Sequence, residues 1–95
     1  MSRVVIVWKD NCPKCDYVKN IFRDFKLSAG IEIKYINGTA SSGQSFITAH
    51  DINQVPVVVF YNNKGQVHKA KQHTYKSLNN EFKAHVGINL FKDFA

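Results

Sequence analysis

Val4-Val5-Ile6-Val7-Trp8-Lys9-Asp10-Asn11-Cys12-Pro13-Lys14-Cys15 is the stretch on which the fold turns. Val4 to Trp8 is a short, unbroken, largely β-branched apolar run, the pattern of a central strand buried on both faces. After Asp10-Asn11, Pro13 suits the first position of a helix, where its missing N–H is no loss and its fixed φ is already helical. Tyr17, Val18, Ile21, Phe22 and Phe25 then fall at i, i+1, i+4, i+5 and i+8, one helical face. The Cys-x-x-Cys pair therefore stands where a buried strand gives way to a helix.

Further along, Gly30 suits a helix C-cap or a turn. From Ile31 to Ile36, Ile31, Ile33 and Tyr35 alternate with Glu32 and Lys34, which predicts a second strand with one face less buried. Asn37-Gly38 is a turn signal. Ser41 and Ser42 are candidate N-caps for a short helix carrying Phe46, Ile47 and Ala49, a prediction that Gly43 weakens. Pro56 opens Val57-Val58-Val59-Phe60-Tyr61, a second buried strand in which proline is tolerated because the ladder has barely begun. Asn62-Asn63-Lys64-Gly65 reads as a hairpin turn into Gln66 to Lys71, strand-like and lysine-rich as an edge requires. Thr74 can cap a last helix with Tyr75, Leu78, Phe82 and Val86 on its face, ending at Gly87. In the tail, Ile88 to Ala95, Leu90, Phe91 and Phe94 are expected to pack back on the body.

The element order βαβαββα predicts an α/β protein with a four-stranded mixed sheet flanked by three helices. At 95 residues, one domain spanning 1–95 is expected. A composition of 44% hydrophobic and 21% charged residues is that of a globular chain and argues against disorder. No apolar run approaches the roughly 18 residues of a membrane span, and Met1-Ser2-Arg3 leads straight into the first strand, so a cytoplasmic protein with no membrane partner is expected. The net charge of +6 favours anionic partners. Its lysines are spread from Lys9 to Lys92 without a block, and no groove-reading or base-stacking motif accompanies them, so nucleic acid is not expected as a partner.

The chain has two cysteines, both in one Cys-x-x-Cys, too few and too close to staple a secreted domain. Cys12, at the strand-to-helix junction, lies where unpaired backbone N–H groups and the helix dipole favour negative charge, which lowers its pKa from the free-thiol value of about 8.5. Lys9 and Lys14 add positive potential, and Asp10 and Asp16 oppose it. Cys15 is about one helical turn away, compatible with the usual disulfide Cα separation of roughly 4.4–6.8 Å. Cys12 is thus the expected attacking sulfur and Cys15 the one that resolves the mixed disulfide. The competing reading is half of a structural zinc site, but His50, His68, His73 and His85 stand at no finger-like spacing from the cysteines. No metal is expected, and each histidine reads as a surface residue.

Strand, Cys-Pro-x-Cys, helix, and then Val55-Pro56 before a buried strand together resemble the thioredoxin superfamily over nearly the whole chain. The resemblance implies that Pro56 follows a cis peptide bond and faces the active cysteines, and that Val55 offers its backbone N–H and C=O to an extended substrate. Within the superfamily the active site is most similar to dithiol glutaredoxins. It has Cys-Pro-x-Cys in place of Trp-Cys-Gly-Pro-Cys, a lysine, Lys9, three residues before the first cysteine, and no buried aspartate on the first strand. The resemblance implies a thiol–disulfide oxidoreductase in which Cys12 and Cys15 are catalytic, with Lys9, Pro13 and Lys14 supporting them. It also implies glutathione as co-substrate, with Lys9 among the residues that bind it, and no tightly bound cofactor; a monomer is expected.

Three departures stand out. Gln54-Val55-Pro56 replaces Thr-Val-Pro, and Lys14 stands where an aromatic is usual. Lys71-Gln72-His73-Thr74 replaces the Gly-Gly and acidic residues that hold the γ-glutamyl end of glutathione. A helix N-terminus at His73-Thr74 can still hold a carboxylate, and Gln44 can reach the other end of the tripeptide. The small size and divergent loops also resemble phage-encoded glutaredoxins that serve ribonucleotide reductase. The alternatives are a thioredoxin-like protein disulfide reductase independent of glutathione, a non-catalytic binding module of the same fold, and an iron–sulfur carrier.

Overall fold

Successive residues of a strand face opposite sides of the sheet, so a run that is apolar at every position needs cover on both sides. In the computed structural model, which describes residues 2–94, helices supply that cover. The elements are β1 (Ser2–Trp8), α1 (Pro13–Asp24), β2 (Ile31–Asn37), α2 (Ser41–Ala49), β3 (Val57–Tyr61), β4 (Val67–Lys69) and α3 (Tyr75–Val86), in the expected order. The strands lie β2-β1-β3-β4. β1 is parallel to β2, β1 antiparallel to β3, and β3 antiparallel to β4. Val4, Ile6, Val58 and Phe60 pack with Val18 and Phe22 of α1 and Leu78 and Phe82 of α3. Val5, Val7, Val57 and Val59 point the other way and pack with Ile52 and with half-buried Phe46 and Ile47.

Several local expectations are corrected. The buried stripe of α1 is Cys15, Val18, Ile21 and Phe22, whereas Tyr17 is 56% exposed. The reason is angular: Cys15, Val18 and Phe22 are three and four residues apart, while Tyr17 lies about 100° round the helix from Val18. Phe25 is the extended C-cap of α1 and stacks on Tyr75 with ring centroids 3.9 Å apart. Gly30 therefore serves the turn before β2 and not the cap, with φ +83, in the left-handed region that glycine adopts at no steric cost.

At α2 the N-cap is Ala40, with no side-chain bond, and Ser41 and Ser42 lie inside the helix. The capping oxygen is spent earlier: Asn37 Oδ1 accepts from the Thr39 N–H at 2.9 Å and its hydroxyl at 2.7 Å. Gly43, which weakened the prediction, is what permits the helix, because a Cβ there would run into the Asn37 carbonyl. Ala49 is exposed.

β4 stops at Lys69, short of the expected Lys71. The Ala70 N–H still donates to the Val58 carbonyl at 2.8 Å, but those of Lys71 and Gln72 turn to the Glu81 carboxylate, which ends the ladder. α3 begins and ends as expected. Thr74 Oγ1 accepts from the Ser77 N–H, the Ser77 hydroxyl oxygen accepts from the Thr74 N–H, and Gly87 closes the helix at φ +88. The tail packs back, with Leu90 and Phe91 buried and Phe94 half-buried beside Tyr75; Met1 and Ala95 lie outside the described residues. Its anchor is Asn79, fully buried, whose Oδ1 accepts from the N–H groups of Leu90 at 2.6 Å and Phe91 at 3.2 Å.

The histidines are also less superficial than expected, since only His85 is exposed. His50 stacks on Phe46 and donates from Nδ1 to the Phe46 carbonyl, which leaves Nε2 to accept from the Tyr61 hydroxyl at 2.8 Å. His68 donates to Glu81 at 3.0 Å. His73 keeps a buried Nε2 with no partner.

Candidate active site

The loop after β1 reverses the chain through Asn11, at φ +56, a conformation asparagine tolerates better than most residues. Cys12 follows as the N-cap of α1, in extended conformation, with Pro13 behind it in the first turn. An N-cap side chain ordinarily supplies an oxygen to the free N–H groups of the first turn. Here the acceptor is sulfur: Cys12 Sγ takes the Cys15 N–H at 3.1 Å. The two sulfurs are joined in a disulfide, with Cα atoms 5.2 Å apart, inside the range expected from the spacing. Their surroundings differ. Cys12 is half-exposed, and Cys15 is fully buried in the first turn of α1.

A cleft of about 600 Å³ bordered by Lys14, which stands between the two cysteines in sequence, gathers Lys9, Lys14, Gln44 and Val55, four of the residues singled out from sequence, together with Thr39 and Gln54, whereas Cys12, Cys15, Pro13 and Pro56 are not among its lining residues. The Val55–Pro56 bond is cis, as the resemblance implied. The Gln44 side chain is not idle in the cleft wall, since its amide N–H donates to the Gly38 carbonyl. Gly38 in turn donates to the Trp8 carbonyl at 2.6 Å, so α2, the turn after β2 and the end of β1 are tied together. Lys19 covers the Trp8 ring, its ammonium 3.8 Å from the centroid, a favourable contact of a cation with the ring face.

His73 and Thr74 are not among the residues lining this cleft. Thr74 and Ser77 cap each other, so two of the polar groups at the start of α3 are already engaged. Beside them, Glu81 accepts from His68 and from the backbone of Lys71 and Gln72. Burial raises the Glu81 pKa, but these hydrogen bonds and the His68 charge outweigh it and hold the carboxyl below its ordinary range. His73 is shifted down by burial, with the Glu81 charge opposing.

Thr39, Asn53 and Gln54 in the cleft, and Asn79 beneath the tail, are the residues sequence reasoning passed over. Gln54 carried a signal, being the departure from Thr-Val-Pro. Thr39 and Asn53 are polar loop residues that only the folded chain brings to the cleft. Among the described residues, no three His, Cys, Asp or Glu side chains group as metal ligands, and no helix is long and apolar enough to cross a membrane.

No protein-family model matches the sequence, and no curated protein matches it. Solved structures do. A malarial protein superposes with a TM-score of 0.74 at 12% identity, covering 90% of this chain and 97% of the other. A thioredoxin from Plasmodium falciparum gives 0.68 at 17% identity, covering 96% and 74%. A thioredoxin-like protein from Clostridium perfringens gives 0.64 at 17% identity, covering 100% and 78%. At these identities the likeness is one of fold: the chain has a thioredoxin-like α/β fold, and it carries a closed cysteine pair at the start of α1.

Proposed function

We propose that the protein is a glutaredoxin-like thiol–disulfide oxidoreductase, reducing protein or glutathione mixed disulfides through Cys12 and Cys15. The observation that carries this reading is the asymmetry of the pair: a half-exposed sulfur that caps a helix, bonded to a buried one a turn away.

In the reduced protein the Cys12 thiolate is favoured by the Cys15 N–H and the positive end of α1. It attacks one sulfur of the substrate disulfide. That bond breaks, the departing sulfur leaves as a thiolate and takes a proton from water, and Cys12 is joined to the substrate. Cys15 then loses its proton and attacks the Cys12 sulfur, releasing the second substrate thiol and forming the Cys12–Cys15 bond. Two electrons pass from the dithiol to the substrate, and two glutathione molecules, oxidised to their disulfide, return them. Burial of Cys15 suits the second step alone, since an external disulfide cannot reach it.

Lys9, Lys14, Gln44, Val55 and Pro56 form the substrate side of this reading, with the Val55 backbone pairing with an extended segment and the lysines meeting carboxylates. His73 and Thr74 are the groups assigned to a carboxylate at the start of α3. That end is self-capped and does not line the cleft, which favours the second reading, a reductase of protein disulfides independent of glutathione.

The test is turnover of a glutathione mixed disulfide by wild type, Cys12→Ser and Cys15→Ser. Cys12→Ser should be inactive in either case. A glutathione-dependent enzyme keeps much of its activity as Cys15→Ser, a protein disulfide reductase loses nearly all of it, and activity surviving in Cys12→Ser would refute the assignment.

A further inference from the structure

The charged residues around the cysteines are sorted by sign. Lys9 and Lys14 line the cleft, while Asp10 and Asp16, from the same loop and the same helical turn, do not. The remaining polar lining, Thr39, Gln44, Asn53 and Gln54, is neutral, and no carboxylate lines the cleft. Ion pairs among the described residues are Arg23–Asp24 and His68–Glu81, so both cleft lysines are without a carboxylate partner there. Two lysines without a carboxylate partner thus line one cavity, and one of them stands between the two cysteines in sequence.

Resting on the oxidoreductase reading, we infer that this cleft selects protein disulfides with acidic flanking residues, whose carboxylates meet Lys9 and Lys14 while the substrate sulfur meets Cys12. The selection acts on encounter more than on the exchange step, because charge complementarity at a solvent-open site raises the association rate and suppresses partners of like charge. Each exposed pair is screened and contributes only a few-fold, so the two lysines together give a preference of about tenfold at low ionic strength.

Two peptides of equal length, each closed by one disulfide and differing only in Glu or Lys beside the cysteines, provide the test. Excess reduced protein is mixed with each, so that no recycling reductant is needed, and rates are divided by those with dithiothreitol to remove the intrinsic reactivity of each disulfide. Wild type should prefer the Glu peptide about tenfold. The preference should collapse toward unity in the Lys9→Gln/Lys14→Gln double variant and in salt of about 0.5 M, and persist in Lys64→Gln, on the turn between β3 and β4. Equal normalised rates in wild type, or an undiminished preference in the double variant, overturn the inference and leave the oxidoreductase reading standing. Failure to reduce either peptide overturns that reading and the inference with it.

Discussion

The two faces of the sheet are covered to different depths. On one, α1, α3 and the returning tail enclose Phe60, Phe82, Leu90 and Phe91, with Phe22 almost as deep. On the other, α2 and the segment that follows it, with Ile52 and Val55, lie over Val5, Val7, Val57 and Val59, and Phe46 and Ile47 of α2 stay half-exposed. The contrast shows how so small a chain keeps an open site. The deep face fixes the strand and helix from which Cys12 projects, and the shallow face leaves room between α2 and the Asn53–Val55 segment for the cleft. Rigidity and access are assigned to opposite sides of one sheet.

Truncation of one aromatic from each face tests that division most forcefully. Phe82→Ala should cost about 3–5 kcal/mol in urea denaturation, as expected for a fully buried ring. Phe46→Ala, removing a half-buried ring from α2, should cost about 1–2 kcal/mol. Equal losses would mean that the shallow face carries as much of the stability as the deep one.

Acid acts more gently, through His73 and Glu81, before and on α3. Glu81 and His73 both hold their protons less tightly in the folded chain than ordinary groups do, so the unfolded chain takes up the extra protons and acidification favours it. The His73 contribution is complete above its ordinary value of 6.5 and is lost as pH falls through its lower folded value. That of Glu81 is complete above 4.5 and is lost further into acid. Urea midpoints measured against pH should therefore decline in two stages, and Glu81→Gln should remove the lower one. A Glu81→Gln profile that still follows wild type below pH 4.5 would show that the bonds from His68, Lys71 and Gln72 do not link the start of α3 to proton binding.

Most of the architecture was legible because its signals are local and strong. Two uninterrupted apolar runs demanded a sheet covered on both sides, and Thr74 and Gly87 mark the ends of α3 by chemistry belonging to those residues alone. The misread places are those where a distant partner decides. Gly43 weakens the helix prediction in isolation, and the Asn37 carbonyl beneath it makes glycine the residue that fits there. Asn79 carries no signal in the sequence, yet it satisfies two backbone donors of a segment more than ten residues away. Tyr17 was assigned to the α1 face because a five-residue pattern fixes a stripe only to within one position, and Cys15, counted as chemistry, also belonged to the core. The cysteines were legible from spacing and the strand-to-helix junction; the cleft was not, because Thr39, Gln44 and Gln54 come from separate segments that only the fold assembles.

The central claim is that the start of α1 shelters a sulfur anion on Cys12. It is tested most directly by the alkylation rate of the fully reduced protein as a function of pH, with modified Cys12 and Cys15 resolved by mass. Cys12 should reach half its maximal rate well below the free-thiol value of about 8.5, while buried Cys15 reacts far more slowly. A Cys12 profile with its midpoint at or above that value would contradict the account.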